Sequence, residues 1–390
     1  MKKKLTLWLA VALCAVTLTG CFRFERKVDT PAATDAAYIE KLNEIVALLD
    51  EKYVDGYDTS KLGDYLAQAA VSATGDRWSY YVSAEDYEKL LEQNNNAYVG
   101  IGVTIQKVNE ADEGYTVVSV THNGPAEAAS ILTGDMIVAV EGQSTTELTM
   151  TDTQQLVRGE EGTQVNLTLL RDGERLDVAV TRKTIEVDVV KYEMLDDNIG
   201  YLKINNFENH CYRDSVAAIE DLLSQGATSL IFDLRFNPGG RKNELVQLLD
   251  YLLPEGPLFR SVDYQGKETI DYSDEKCLSL PMAVIVNDDS YSAAEFFAAA
   301  LQEYHAGVVV GTQTCGKANY QQTYRLSDGS AVAVSTGHYQ TPNGVTLAGV
   351  GVTPDQIVEV DDETYAALYY EKVAHADDAQ LQAAISALKQ

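Results

Sequence analysis

Histidine is scarce in this 390-residue chain. Its five histidines are His122, His210, His305, His338 and His375, and none falls in an HExxH or other paired metal spacing. No Gly-x-Ser-x-Gly turn is present, so a Ser-His-Asp hydrolase has no local signature. Cysteine is equally sparse. The five cysteines make no CxxC pair, which argues against a zinc site or a disulfide framework. Basic charge is short too: 30 Lys and Arg stand against 59 Asp and Glu, a net charge of −29. So acidic a chain is repelled by phosphate backbones, which argues against nucleic acid as a partner. No basic run suits an anionic membrane surface, and the acidity reads as a source of solubility. Internal repeats and low-complexity tracts are absent, and no stretch beyond the N-terminus is long and apolar enough to cross a bilayer.

What is present begins at the N-terminus. Lys2, Lys3 and Lys4 form a positive flank, and residues 5–18 are an apolar run too short for a comfortable membrane span. The run ends in Leu18-Thr19-Gly20-Cys21, which resembles the lipobox of bacterial lipoproteins. That resemblance implies a signal peptide over residues 1–20, lipid on Cys21 and an extracytoplasmic body; an uncleaved signal anchor is the alternative. Cleavage would leave 27 basic against 59 acidic residues, a net −32, and would remove Cys14. Cys211, Cys277 and Cys315 would remain beside the lipidated Cys21, an odd number.

Residues 21–37 lack periodicity and read as a tether. Residues 38–95 turn helical: Ile39, Leu42, Ile45 and Leu49 share one face, Leu62, Leu66 and Ala70 another, and Ser83 reads as the N-cap of a third helix. From residue 96 to 186 short β-like runs alternate with Gly-rich turns, with one helix near residues 152–157, a compact and mostly β module. Between residues 187 and 360 apolar strands alternate with helices, the grammar of a layered α/β domain with a largely parallel sheet. Residues 361–390 read as a helical tail.

Three pieces of the α/β region carry chemistry. Ser292 follows the strand Ala283-Val284-Ile285-Val286 and precedes a run of strong helix formers. Unpaired N–H groups at a helix N-terminus favour an anion forming there, although a lone serine in that place is ordinarily just a helix cap. Lys317 lies 25 residues later among uncharged neighbours. Burial there would strip its ammonium of solvation and make a neutral amine available as a base; alone, it is an ordinary exposed lysine. The third piece is Asp233-Leu234-Arg235-Phe236-Asn237-Pro238-Gly239-Gly240 at a strand end. Its Pro-Gly-Gly turn can bring bare N–H groups to a ligand and, with the Ala293 amide, form an oxyanion hole. It is equally a plain turn.

Together these pieces resemble the carboxyl-terminal processing peptidases, or tail-specific proteases. Residues 233–240 match that family's Asp-Leu-Arg-x-Asn-Pro-Gly-Gly signature, and residues 290–295 the segment holding its nucleophile. Gly316-Lys317-Ala318-Asn319-Tyr320-Gln321 matches the segment of the base, and residues 351–355 a closing Gly-Val-x-Pro-Asp motif. Four weak motifs in the right order make a strong signal, and the resemblance runs from about residue 38 to the C-terminus. The resemblance implies Ser292 as nucleophile, Lys317 as general base, Gln321 as the residue holding the lysine, and Gly239 or Gly240 with Ala293 as oxyanion donors. It implies a crotonase/ClpP-like α/β core with an inserted PDZ domain and helical terminal segments, an α+β multidomain chain. No metal or organic cofactor is required, and homo-oligomers occur in the family.

The β module fits the same family. Val99, Gly100, Ile101 and Gly102 look like the carboxylate-binding loop of a PDZ domain, which takes extended C-terminal tails by β-augmentation. Arg158 matches a position linking ligand binding to activation, and is equally a solvated surface arginine. Departures from the family pattern are Ala294, Ala318, Ser130 and Glu303, and Cys315 beside the lysine is unusual. Buried and inert is the expected state of that thiol. Two rival readings stand: a PDZ-bearing lipoprotein adapter that binds tails without cutting them, and a serine hydrolase of non-peptide esters.

Overall fold

A computed structural model describes residues 37–109 and 111–389. The signal peptide, Cys21 and nearly all of the tether lie outside the described residues. The described chain divides into two compact units, one of residues up to 87 with 320–336, the other of residues 88–319 with 337–389.

The first unit opens with helices α1 (Ala37–Lys52) and α2 (Thr59–Ser72), the latter capped by Asp58. Strand β1 (Tyr80–Val82) follows and pairs antiparallel with residues 331–333. Ser83 then opens α3 (Ala84–Asn95) as its sequence suggests: its hydroxyl accepts the Asp86 N–H at 3.2 Å. Helix α3 ends at Asn96, whose φ of 46° turns the chain.

The second unit begins with a mostly β module. Its strands are β2 (Ala97–Gly100), β3 (Val103–Gln106), β4 (Tyr115–Val120), β5 (Met136–Val140) and β6 (Gln143–Ser144). Strands β7 (Gln164–Arg171), β8 (Glu174–Thr181) and β9 (Lys183–Glu186) complete it, with short helices α4 (Pro125–Ala128) and α5 (Met150–Val157). An antiparallel sheet runs β3-β4-β5-β7-β8 with β6 on β5, while β2 pairs with β9. One face of β7 is polar and the other buries Val165, Leu167 and Leu169 against Ile101, Val117 and Ile137.

The α/β core follows with β10 (Val190–Leu195), β11 (Ile199–Ile204), α6 (Cys211–Ser224), β12 (Ser229–Asp233) and α7 (Lys242–Leu252). Next come β13 (Gly256–Asp263), β14 (Glu268–Ser273), β15 (Met282–Val286), α8 (Ala293–Glu303) and β16 (Gly307–Gly311). Strands β17 (Asn319–Arg325), β18 (Ala331–Gln340) and β19 (Gln356–Ile357) precede helices α9 (Asp362–Tyr369) and α10 (Ala379–Ala387). The central sheet runs β10-β11-β12-β15-β16-β19, parallel except for the edge strand β10.

Both faces of that sheet are covered, which is why β12 and β15 are buried at every position, β15 apolar throughout and β12 apolar between Ser229 and Asp233. Side chains alternate between the faces. Leu230, Phe232 and Val284 pack with Leu222, Leu248 and Phe297 of the helical layer. Ile231, Ala283 and Ile285 pack instead on Leu381 and Ala384 of α10. Each such buried Leu, Ile or Phe contributes about 1.5–3 kcal/mol relative to exposure. The β13–β14 hairpin was not expected, because β14 is partly exposed on both faces and shows no clean alternation. The fold is thus a layered α/β core with an inserted β-rich module and helical flanks.

Candidate active site

Strands β12, β15 and β16 each end in a loop, and the three sequence motifs occupy these three loops. The carboxyl ends of parallel strands are where α/β sheets gather functional groups. The loops are stitched together by hydrogen bonds. Ser290 Oγ donates to the Leu234 carbonyl at 2.7 Å, and the Tyr291 N–H to the Asn237 carbonyl at 3.1 Å. The Cys315 N–H donates to the Ser290 carbonyl at 3.2 Å, and the Phe236 N–H to Asn287 Oδ1 at 2.9 Å.

Ser292 stands at the start of α8 and is 8% exposed. Its backbone has φ 57° and ψ −123°, a region that a residue with a Cβ rarely adopts. Such strain costs on the order of 1–3 kcal/mol and persists only where surrounding contacts over-determine it. A plain helix cap has extended dihedrals and needs none of this.

Glu295 supplies the over-determining contacts. It is fully buried in the first turn of α8. One carboxylate oxygen, Oε2, accepts the backbone N–H of Ser292 at 2.8 Å and that of Lys317 at 2.8 Å. The other, Oε1, accepts the Gly316 N–H at 2.6 Å and Thr314 Oγ1 at 2.6 Å. Burial pushes this carboxyl above its ordinary range, against the pull of its four donors. One side chain therefore ties the serine turn to the lysine loop. Sequence reasoning gave Glu295 no role, although the spacing Ser-x-x-Glu ahead of a helix was a readable signal.

Lys317 is half-buried, and its Nζ lies 5.9 Å from the ring centroid of Tyr291, the residue before Ser292. Gln321 belongs to the first unit, where its amide donates to Ser335 Oγ at 3.0 Å. Ala318 is buried and has no positive φ, so the methyl where the family pattern has glycine meets no backbone strain. Ser130 differs: its φ is 62°, the conformation for which the family's glycine is suited. Cys315 is half-buried rather than buried, because its loop lies at the end of the sheet; Cys211 is buried and Cys277 exposed.

Gly239 has φ 88°, and an added Cβ would stand 2.8 Å from the Ser292 Cβ. Only glycine lets this turn approach the serine so closely. Its N–H donates to Asn237 Oδ1 at 2.8 Å. Among the described residues, neither the Gly240 nor the Ala293 N–H has a protein acceptor.

The charged residues of the first motif anchor rather than react. Arg235 is buried, bonded to Asp233 at 2.5 Å and to Asp378 at 2.8 Å, and Tyr201 donates to Asp233 at 2.7 Å. Burial alone would raise the Asp233 carboxyl, but the Arg235 guanidinium outweighs it and holds the group below its ordinary range. The closing motif braces the lysine loop: the Val352 N–H donates to Thr314 Oγ1 at 2.7 Å, and Asp355 accepts the Val309 N–H at 2.8 Å.

In the β module a cavity of about 250 Å³ is lined by Tyr98, Gly100, Ile101, Gly102, Val157 and Arg158, among others. Val99, the first residue of the suggested loop, is not part of that lining and pairs with Thr184 across β2 and β9. Arg158 donates to Glu92 Oε2 of α3 at 2.5 Å and stacks 5.0 Å above the Tyr98 ring.

The PDZ domain family matches residues 99–181, and peptidase family S41 matches residues 198–358. The carboxy-terminal processing protease CtpA of Bacillus subtilis (strain 168) is 31% identical over 378 residues, 95% of this chain and 80% of that protein. A probable CtpA-like serine protease of Staphylococcus epidermidis (strain ATCC 12228 / FDA PCI 1200) is 31% identical over 336 residues, 85% of this chain and 67% of that protein. A solved Bacteroides fragilis chain assigned to the S41 proteases shares the fold. Its TM-score is 0.51 at 18% identity, over 92% of this chain and 99% of that one. The chain belongs to the carboxy-terminal processing proteases, serine peptidases of family S41 that carry a PDZ domain.

Proposed function

We propose that this protein is an endopeptidase that cuts extracytoplasmic proteins at or near their C-termini, with Ser292 as nucleophile and Lys317 as general base. The observation that carries the reading is the Glu295 carboxylate, whose single oxygen holds the backbones of both residues at 2.8 Å. In the reaction Ser292 Oγ attacks the scissile carbonyl and the Lys317 amine takes the hydroxyl proton. The carbonyl oxygen becomes an oxyanion, accepted by backbone N–H groups at the start of α8 and in the Gly-Gly turn. The Asn237 bond on the Gly239 N–H favours Gly240, with Ala293, as donors. Collapse expels the new N-terminal amine, which takes the proton from Lys317, and leaves an ester on Ser292. Water activated by Lys317 then hydrolyses the ester. Gln321 holds the lysine in this scheme, and no metal or organic cofactor enters it.

The PDZ domain presents the tail, its terminal carboxylate on the loop amides around Gly100, Ile101 and Gly102 and its last side chain in the apolar cavity. Arg158 lines that cavity and also bonds Glu92 outside the domain, which supports a role in reporting occupancy to the core. Lipid on Cys21 would tether the enzyme to the membrane surface. The test is incubation of the purified protein with a disordered protein ending in small apolar residues. Fragments cut near the C-terminus that vanish with Ser292→Ala support the reading. Saturable binding without fragments would instead establish the adapter.

A further inference from the structure

The two loops that flank Ser292 share one further contact, made from outside the motifs. Tyr365 lies on α9, in the C-terminal segment. Its hydroxyl donates to Asp289 Oδ2 at 2.6 Å, in the turn that delivers Ser292. Its ring packs edge-on against Phe236 of the Gly-Gly loop, with centroids 5.0 Å apart at 75°. Tyr369, one turn on, packs on the same Phe236 ring at 5.3 Å and 82°. Phe236 needs this support. Its φ is 63°, a left-handed backbone that a bulky side chain rarely holds unless its surroundings impose it. It stands three residues before Gly239, whose turn abuts the Ser292 Cβ.

Helix α9 is itself well fixed. Asp361 caps it by accepting the Thr364 N–H at 2.7 Å, and Leu368 is buried. Just beyond its end Glu371 pairs with Lys191 at 2.6 Å and Lys203 at 2.9 Å. A ring carried by so anchored a helix is a rigid stop for the loop beneath it.

We propose that Tyr365 is a positioning residue for catalysis. It locks Phe236, and with it the oxyanion turn, in register with the serine turn through one ring contact and one hydrogen bond. This rests on the reading of Ser292 as nucleophile. The C-terminal segment, on this account, sets the geometry of the active site as well as covering the sheet.

The test is steady-state cleavage of a disordered tail substrate by the full mature chain. Tyr365→Ala should lower kcat at least tenfold with KM changed less than twofold, at an unchanged circular dichroism spectrum. Tyr365→Phe, which keeps the ring and drops the bond to Asp289, should recover part of the rate. In a Phe236→Gly background, where the left-handed turn no longer needs a brace, the same Tyr365→Ala change should cost much less. A wild-type kcat in folded Tyr365→Ala overturns the proposal. So does a loss confined to KM, which would make the aromatic face a substrate contact, or a loss equal in both backgrounds. Ser292→Ala run alongside separates the two claims. If Ser292→Ala still cleaves, the nucleophile reading fails. If it is dead while Tyr365→Ala cleaves normally, only the Tyr365 proposal fails.

Discussion

At the scale of the residue, Glu295 ties the serine turn to the lysine loop. Its four donors come from three backbone N–H groups and one hydroxyl, so every lone-pair direction has a purpose. Glu295→Gln keeps the shape but turns one acceptor into a donor. Whichever way the amide lies, two N–H or O–H groups lose their partner. Unsatisfied buried donors cost about 1–3 kcal/mol each. We expect the variant to fold with a melting temperature lowered by several degrees and kcat lowered by at least tenfold, read by thermal denaturation and cleavage of the tail substrate. A variant with wild-type kcat would remove Glu295 from the positioning of the site. Ser292 shows what sequence could convey at this scale. The order of motifs singled it out as the candidate nucleophile, whereas its strained backbone is held by Glu295, which also holds the Lys317 loop, and faces Gly239, 53 positions earlier. No local pattern encodes that. Tyr365 was less legible still, because its partners lie 76 and 129 positions earlier in the chain.

At the scale of the element, strands buried on both faces were readable from their apolar runs, and β15 and α8 fall where the sequence put them. Hairpin β13–β14 and strand β10 were not, since half-exposed edges carry mixed composition and no strong period. Within the PDZ domain, the hydrogen-bonded Arg171 guanidinium holds the Asp135 carboxyl below its ordinary value of 3.8. A carboxylate with a lowered native pKa stabilises fully above its unfolded value, and that contribution is lost as pH falls through the native one. Acid unfolding of the domain, followed by hydrogen exchange of its amides, should therefore steepen below pH 3.8, and Asp135→Asn should flatten that limb. An unchanged acid limb would mean that the pair contributes nothing to stability. The cavity makes a second prediction here: Ile101→Asp places an unpaired charge among Val157 and Ile137 and should weaken binding of an apolar tail at least tenfold by isothermal titration. Equal affinity would move the tail site elsewhere.

Across the whole molecule, the C-terminal segment does two jobs with one stretch of chain. Helix α10 covers a face of the sheet with Leu381 and Ala384, and Asp378 at its start completes the buried charge of Arg235 in the first motif. The family resemblance made the candidate catalytic motifs legible, while this dependence on the tail emerges only from packing. Gln321 belongs to a different compact unit from Ser292 and Lys317, and kcat of Gln321→Ala tests its proposed part in holding the lysine. The proposed pairing of Ser292 with Lys317 is tested by kcat/KM of folded Lys317→Ala on a disordered tail substrate, beside Ser292→Ala. Both should fall at least a thousandfold, to a common floor, with circular dichroism unchanged. Cleavage by Lys317→Ala within tenfold of wild type, with Ser292→Ala inactive, would contradict it and assign the base to another residue.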